Sequence, residues 1–219
     1  MVHLKTKLIA LCLFFSMGIA TAQSDKEEVA ETFKETRIVN GHSVETTDEG
    51  DLNLIITHRF GAIDGGAYEW FGLDAATMRI GLDYGVTRNF TLGWGRSTLE
   101  KTYDAYGKYR LLRQNNTSPI SLTAFGSVAL NTLRFNEDEK TYKTFGHRLF
   151  YTGQLLLARK FSDRFSFQLM PTWIHRNLVA TSTESNDVFS LGAASRIQLS
   201  KTIALNVEYF YVPSGQLRP

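Results

Sequence analysis

The chain has little of what builds disulfide scaffolds, helical membrane spans or nucleic-acid-binding surfaces. Its 219 residues include one cysteine and four prolines, and the 24 Lys and Arg against 22 Asp and Glu give a net charge of +2. This balance lacks the basic excess of nucleic-acid-binding proteins, so no nucleic-acid partner is predicted. No stretch reaches 18 consecutive apolar residues, which argues against spanning helices. The 43% hydrophobic content is nevertheless that of a folded domain.

The first 22 residues have the pattern of a secretory signal. Lys5 and Lys7 precede an apolar run that extends from Leu8 to about Ile19, and small residues follow at 20–22. This order predicts a signal peptide that is cleaved after Ala22. About twelve apolar residues would rise only about 18 Å as a helix, too short for a membrane anchor. The single cysteine lies in this segment, so the mature chain is predicted to contain no disulfide and no cysteine metal site.

Residues 23–50 are predicted to form a periplasmic N-terminal lead-in to the main domain. The charged stretch 24–37 favours a helix, with Val29 and Phe33 four residues apart as its only apolar stripe. An Asn40-Gly41 turn lies between short β-prone segments, which predicts a small hairpin or a leading strand.

From residue 51 onward, apolar side chains recur at every second position, which is the period of a β-strand. Met78, Ile80 and Leu82, for example, share one face while Arg79 and Gly81 occupy the other. Nine strands are predicted, near 51–60, 77–84, 89–97, 103–112, 120–130, 148–160, 165–173, 189–199 and 203–211. Most are longer than the five to six residues usual in soluble sheets. Short connections alternate with mostly longer, charged ones, as in outer-membrane barrels.

The polar face decides between a membrane barrel and a soluble barrel. It carries mostly Thr, Ser, Gly, Asn and Gln, with few charges, which suits a confined lumen better than a water-facing surface. The charged residues predicted to face the lumen are Arg79, Asp83, Lys108, Arg110, Arg196 and Glu208. The apolar face is rich in aromatic residues that would form girdles at the membrane interfaces, namely Tyr84, Trp94, Tyr103, Trp173, Tyr209 and Tyr211. Ordinary β propensity is the alternative explanation of these aromatics.

The predicted fold is therefore all-β, an antiparallel up-and-down transmembrane β-barrel that occupies residues 51–219. Nine strands is an odd number, whereas bacterial single-chain barrels have an even number. We expect that the barrel is incomplete at its C-terminus, with about three strands missing from a total of about twelve.

Several blocks of sequence carry a resemblance to a known group of proteins. The most distinctive is ETFKETRIVNGHSVET at 31–46, followed by ITHRFG at 56–61, FGLD at 71–74, RIGLDYGVT at 79–87 and KYRLLRQ at 108–114. The chain resembles a family of uncharacterised outer-membrane β-barrel proteins from Gram-negative bacteria, a domain of unknown function. The resemblance implies an outer-membrane location and a barrel fold, and the family has no established activity to carry over.

No motif for catalysis is present, and no catalytic, cofactor or metal site is predicted. We expect a non-enzymatic outer-membrane barrel with a filled or narrow lumen, which passes or binds a small solute or ligand or presents a surface to a protein partner. The external loops 61–76 and 132–147 are the expected contact surfaces, and membrane lipid is the surrounding partner. The alternatives are an outer-membrane lipid hydrolase that uses His58 or His147 with a loop serine, and a purely structural membrane anchor.

Overall fold

The computed structural model describes residues 28–29, 31–134, 136, 144–179, 181 and 184–216. The predicted signal peptide and its cysteine lie outside these residues, as does part of the loop predicted at 132–147.

The nine predicted strands are confirmed, and they form one antiparallel sheet in which every strand pairs with its neighbours in sequence order. Their bounds are β1 Leu52–Arg59, β2 Thr77–Thr87, β3 Phe90–Ser97, β4 Tyr103–Leu112, β5 Ser121–Leu130, β6 Leu149–Ser162, β7 Phe165–Arg176, β8 Asp187–Gln198 and β9 Ala204–Tyr211. Short 3-10 helices occur at Gly66–Gly72, Leu99–Lys101 and Phe145–Arg148. Within the described ranges, none of the helices has the length and apolar character to cross a membrane.

The connections at one end of the sheet are mostly shorter than those at the other, as predicted, although the eight residues between β4 and β5 outnumber the five between β3 and β4. Two residues join β2 to β3, two join β6 to β7 and five join β8 to β9, all at one end of the sheet. The connections at the other end include the long segments 60–76 and 131–148. We call these the turn end and the loop end of the sheet.

The sheet is strongly curved, although its edge strands β1 and β9 are not paired with each other. Neighbouring strands lie about 4.8 Å apart, so β2 and β9 would be about 34 Å apart in a flat sheet. Yet Arg37 contacts Asp83 of β2 at 2.8 Å, and the carbonyl of the next residue, Ile38, accepts a hydrogen bond from Asn206 of β9 at 3.4 Å. Adjacent residues of one segment can reach both strands only because the sheet curls around that segment.

The two faces of the curved sheet are inverted relative to a soluble protein. Apolar side chains on the convex face are exposed, among them Ile56 at 60% and Trp94 at 52%. On the concave face the side chains of Asp83, Lys108 and Gln168 are almost completely buried. The interior also holds an apolar cluster that includes Val44, Leu156 and Met170. An apolar exterior around an interior with buried polar and charged groups is the arrangement that a lipid environment stabilises.

Residues 31–50 lie against the concave face, and we call them the inner segment. The sequence placed them in a lead-in outside the barrel and favoured a helix over 24–37, but no helix forms in the described residues 31–37. The helix prediction is wrong because side chains take over the backbone bonds that a helix would need. The Glu45 carboxylate accepts hydrogen bonds from the amides of Thr32 and Phe33, and the Ser43 hydroxyl donates to the Glu35 carbonyl.

The predicted turn at Asn40-Gly41 is present as the tip of a very small hairpin. Arg37 and His42 form a single antiparallel bridge, and the Ile38 amide donates to the Gly41 carbonyl at 3.0 Å. The inner segment then enters β1 next to Gly85, whose backbone exchanges hydrogen bonds with Gly50 and Asp51.

Candidate functional site

A buried ion pair attaches the hairpin of the inner segment to the wall of the sheet. Arg37 donates to the Asp83 carboxylate at 2.8 Å and to the Tyr106 hydroxyl at 3.2 Å. The Asp83 side chain is fully buried and that of Arg37 is 15% exposed. Burial acts to lower the pKa of Arg37, but the hydrogen bond and charge of Asp83 outweigh it and hold the pKa above its ordinary value. The Arg37 guanidinium therefore keeps its positive charge inside the curve of the sheet.

Val44 is the residue of the inner segment that the sheet binds from the most directions. Its carbonyl accepts hydrogen bonds from Arg110 of β4 at 2.7 and 3.1 Å and from Thr123 of β5 at 2.8 Å. Its amide donates to the Gln168 side chain of β7 at 2.9 Å. Arg110 also forms a 2.6 Å ion pair with Glu45. Three strands thus satisfy the backbone of one residue, which fixes the position of the segment inside the curve.

Further polar contacts extend along the inner segment. Lys108 donates to the Thr36 carbonyl at 3.1 Å, and the carboxylate of Glu208 accepts from the Gly41 amide at 2.9 and 3.1 Å. Nearer to β1, the Thr47 amide donates to the Thr91 hydroxyl at 2.9 Å. Burial of a polar group is costly unless the group is hydrogen-bonded. These bonds give partners to polar groups of the inner segment and of the concave face of the sheet.

His42 is enclosed by aromatic rings at the inner end of the hairpin. Its ring centroid lies 4.6 Å from that of Tyr106 and 4.4 Å from that of Phe125. Burial, assisted by the positive charges of Lys108, Arg37 and Arg79, holds the pKa of His42 well below its ordinary range. The imidazole is therefore neutral, and its protonation would place a charge in an environment that opposes it.

Arg79 and Asp104 form a second ion pair on the concave face, nearer to the loop end. The Arg79 Nε donates to Asp104 at 2.8 Å and its Nη2 donates to the other carboxylate oxygen at 2.5 Å. A Cβ atom at Gly81 or Gly95 would collide with the Arg79 guanidinium. The two glycines therefore let Arg79 lie flat on the sheet, and the bidentate pair holds it in that position.

A cavity of about 410 Å³ lies next to Arg79 on the concave side. The hairpin contributes Arg37, Asn40 and His42, which form its floor. Its wall is built by side chains of β1, β2, β4, β5 and β6, namely Thr57, Arg59, Arg79, Asp104, Tyr106, Phe125, Ser127 and Thr152. We call this space the hairpin cavity. Its volume is in the range of small-molecule sites.

The six charged residues that the sequence assigns to the lumen have different partners in the structure. Asp83, Lys108, Arg110 and Glu208 bind the inner segment, whereas Arg79 pairs with Asp104. Arg196 lies apart from them and lines a second cavity of about 480 Å³, together with residues 31–34 and Lys160 and Lys201. The inner segment is thus the main partner of the inward charges.

The six aromatic residues assigned to girdles all have exposed side chains, between 37% and 67%. Tyr103 begins β4, Trp173 lies near the end of β7, and Tyr209 and Tyr211 end β9, so these four are close to the loop end. Tyr84 is paired with the first residue of β1 at the turn end. Trp94 lies between these levels and stacks on Tyr103 with 6.3 Å between ring centroids. Their assignment to membrane interfaces stays a prediction.

The histidines form no triad in the described part of the chain. His58 contacts Phe60, and the His147 ring accepts a hydrogen bond from the Thr144 amide. His175 and Asp187 form a 2.9 Å pair, and Trp173 donates to the same carboxylate at 2.8 Å. No serine hydroxyl is bonded to a histidine ring among the residues described, and no cluster there could hold a metal ion.

An exposed apolar convex face, a polar concave face and nine up-and-down strands define the class as a membrane-bound antiparallel β-barrel. Residues 33–218 match the family model of the membrane-bound β-barrel domain DUF5777, so the chain belongs to this family of unknown function. The match includes most of the inner segment, which is therefore part of the family's domain. No curated protein and no solved structure has detectable similarity to the chain.

Sequence reasoning missed Arg37, Val44 and Glu45, which carry most of the contacts inside the curve. One signal was available in the sequence. Asp83 and Lys108 are on strands that are not neighbours, and on β3 they face the uncharged residues Gly93 and Thr91, so they cannot form an ion pair with each other across adjacent strands. Inward charges without a partner across the strand indicate that another segment supplies one.

Proposed function

We propose that the protein is a non-enzymatic outer-membrane barrel that is closed to ion flow by its own inner segment and that binds a small polar ligand from the loop end. The observation that carries this proposal is the set of bonds between the inner segment and strands β2, β3, β4, β5, β7 and β9. A segment held by six strands occupies the space through which solutes would pass.

The position of the segment supports binding over passage. Its contacts with Arg110, Thr123 and Thr91 lie toward the turn end, which would face the periplasm. The hairpin cavity lies above it, on the side of Arg59 and the loops. This order leaves an external recess with a floor, which is the shape of a binding site rather than a channel.

Conductance in planar lipid bilayers tests the closed state. We expect the full-length wild-type chain to give no steady current, because polar contacts hold the inner segment in place. The double variant Arg37→Ala, Glu45→Ala removes the segment's side of two buried ion pairs and is expected to produce ion current. Lys34→Ala breaks only an exposed pair with Glu31 in the same segment and should remain silent.

A stable open channel in the wild-type chain would refute the closed state.

Two further measurements address the membrane location and the absence of hydrolase activity. Membrane fractionation with a heat-modifiability gel should place the folded chain in the outer membrane, and recovery from the soluble periplasm would contradict that location. Incubation with phospholipid should release no fatty acid, whereas turnover abolished by His58→Ala or His147→Ala would establish the hydrolase alternative.

A further inference from the structure

The side chains that line or border the hairpin cavity carry an excess of positive charge. Three guanidinium groups line or border it, from Arg37, Arg59 and Arg79, against the two carboxylates of Asp83 and Asp104. The structure records ion pairs for Arg37 and Arg79, and none for Arg59 within the described residues. One positive charge at the rim of the cavity, that of the exposed Arg59, therefore has no counterion among the described residues.

The register of β1 and β2 brings Arg59 close to Arg79. Thr57 is directly opposite Arg79, and Arg59 is two residues further along the same face of β1. Diagonal neighbours of this kind have Cβ atoms about 7 to 8 Å apart, within reach of long side chains. Both residues line the hairpin cavity, and each guanidinium presents several N–H donors in a planar fork, so one oxyanion in the cavity can accept hydrogen bonds from both.

Arg79 is prepared for this role before any ligand binds. Gly81 and Gly95 leave room for its guanidinium against the sheet, and Asp104 fixes its orientation through two hydrogen bonds. A side chain that is already ordered loses little entropy on binding, which strengthens the interaction. The Ser127 and Thr152 hydroxyls, which also line the cavity, are potential additional donors.

We propose that the hairpin cavity binds a small water-soluble oxyanion, a carboxylate or phosphate group, between Arg59 and Arg79. This inference rests on the proposed function, because the hairpin of the inner segment supplies the floor of the cavity. It adds the chemical class of the ligand and the two side chains that recognise it.

Isothermal titration calorimetry of the detergent-solubilised full-length chain tests the site, with inorganic phosphate and succinate as probes in a chloride buffer of low ionic strength. We expect saturable binding of at least one of the two ions. Arg59→Gln should weaken it by about tenfold or more, the effect of losing one charge-assisted hydrogen bond. Arg59 is exposed and ends its strand, so this variant is expected to fold.

Two variants distinguish binding at the hairpin cavity from non-specific attraction of anions by the positive charge of the protein. Arg164→Gln removes the same charge from the exposed turn between β6 and β7 and should leave affinity unchanged. Gly95→Ala removes no charge but displaces the Arg79 guanidinium, and it should also weaken binding. Absence of saturable binding to either ion, or equal weakening by Arg164→Gln and Arg59→Gln, would overturn the inference.

The two proposals fail in different ways. A wild-type chain that is silent in bilayers but binds neither ion would overturn the anion site and leave the closed barrel intact. A wild-type chain that conducts would overturn the closed barrel whatever the calorimetry gives.

Discussion

Removal of Arg37 should release the inner segment from the concave face. Arg37→Ala leaves the Asp83 carboxylate, which is fully buried, without its 2.8 Å partner. Breaking a buried ion pair from one side costs about 3 to 5 kcal/mol, and the segment can avoid that cost by moving away and admitting water. Taking about 3 kcal/mol, and about 1.4 kcal/mol per tenfold change, the released population should rise about 100-fold.

Thiol labelling measures that population directly. Val44 is completely buried, so a Val44→Cys reporter in a Cys12→Ser background reacts with a maleimide only when the segment is released. Arg37→Ala should raise the labelling rate by about 100-fold, as derived above. The matched control is Lys34→Ala, which breaks a 3.1 Å pair between side chains that are 68% and 57% exposed. An exposed pair contributes at most about 1 kcal/mol, so the control should change the rate less than about fivefold.

A second variant distinguishes release of the inner segment from misfolding of the whole chain. Arg37→Gln combined with Asp83→Asn removes both charges and leaves no buried carboxylate alone, so it should label more slowly than Arg37→Ala. Equal labelling rates in Arg37→Ala and Lys34→Ala would refute the reasoning, since they would mean that the buried pair does not hold the segment.

Two further perturbations act on the same docked state. Because the pKa of His42 is held well below its ordinary range, docking is fully stable above the unfolded value of about 6.5 and weakens as the pH falls. The labelling rate at Val44→Cys is divided by that of an exposed Lys34→Cys at the same pH, which cancels the fall in the thiolate fraction. This ratio should rise by up to about tenfold per pH unit below about 6.5, and His42→Gln should abolish this dependence; a slope that persists in His42→Gln would assign it to other groups. Gly85→Ala places a Cβ into the Asp48 backbone carbonyl, so it should lower stability by about 1 to 3 kcal/mol in denaturant unfolding, whereas Gly126→Ala, whose nearest heavy atom is 4.0 Å away, should change it by less than about 0.5. Equal effects of the two alanines would contradict the close packing at Gly85.

The sheet could be predicted from the sequence because its determinants are local. Alternation of residues such as Ile80 and Arg79 sets the faces of a strand, and short polar connections set the order of pairing. Both signals act over about ten residues, so strand bounds such as 103–112 agree with the structure.

The inner segment could not be predicted in the same way. Its contacts with the strands join residues that are far apart in sequence, for example 44 positions for Thr47 with Thr91 and 168 for Ile38 with Asn206. Local helix propensity over 24–37 is overridden in the described residues, because Glu45 accepts hydrogen bonds from the Thr32 and Phe33 amides, which a helix would bond to its own carbonyls. Long-range side-chain contacts leave no periodic pattern in the sequence.

The hairpin cavity could be predicted in part, because it depends both on local alternation along a strand and on long-range contacts. The sequence assigned Arg79 to the lumen, and the period of its strand supports that face. The neighbouring position of Arg59 depends on the register of β1 against β2, and the floor depends on the hairpin at 37–42. Neither the register nor the docking of the hairpin can be obtained from composition or alternation alone.

The central claim is that the inner segment lies within the curve of the sheet, and disulfide cross-linking in native membranes tests it most directly. The Thr47 amide is 2.9 Å from the Thr91 hydroxyl, so Thr47→Cys paired with Thr91→Cys is expected to form a disulfide under mild oxidation. The control pairs Thr47→Cys with Ser97→Cys, six residues further along β3 and therefore about 20 Å away. Efficient cross-linking of the first pair alone is the predicted result. Failure of that pair to cross-link, or equal cross-linking of both pairs, would contradict the account.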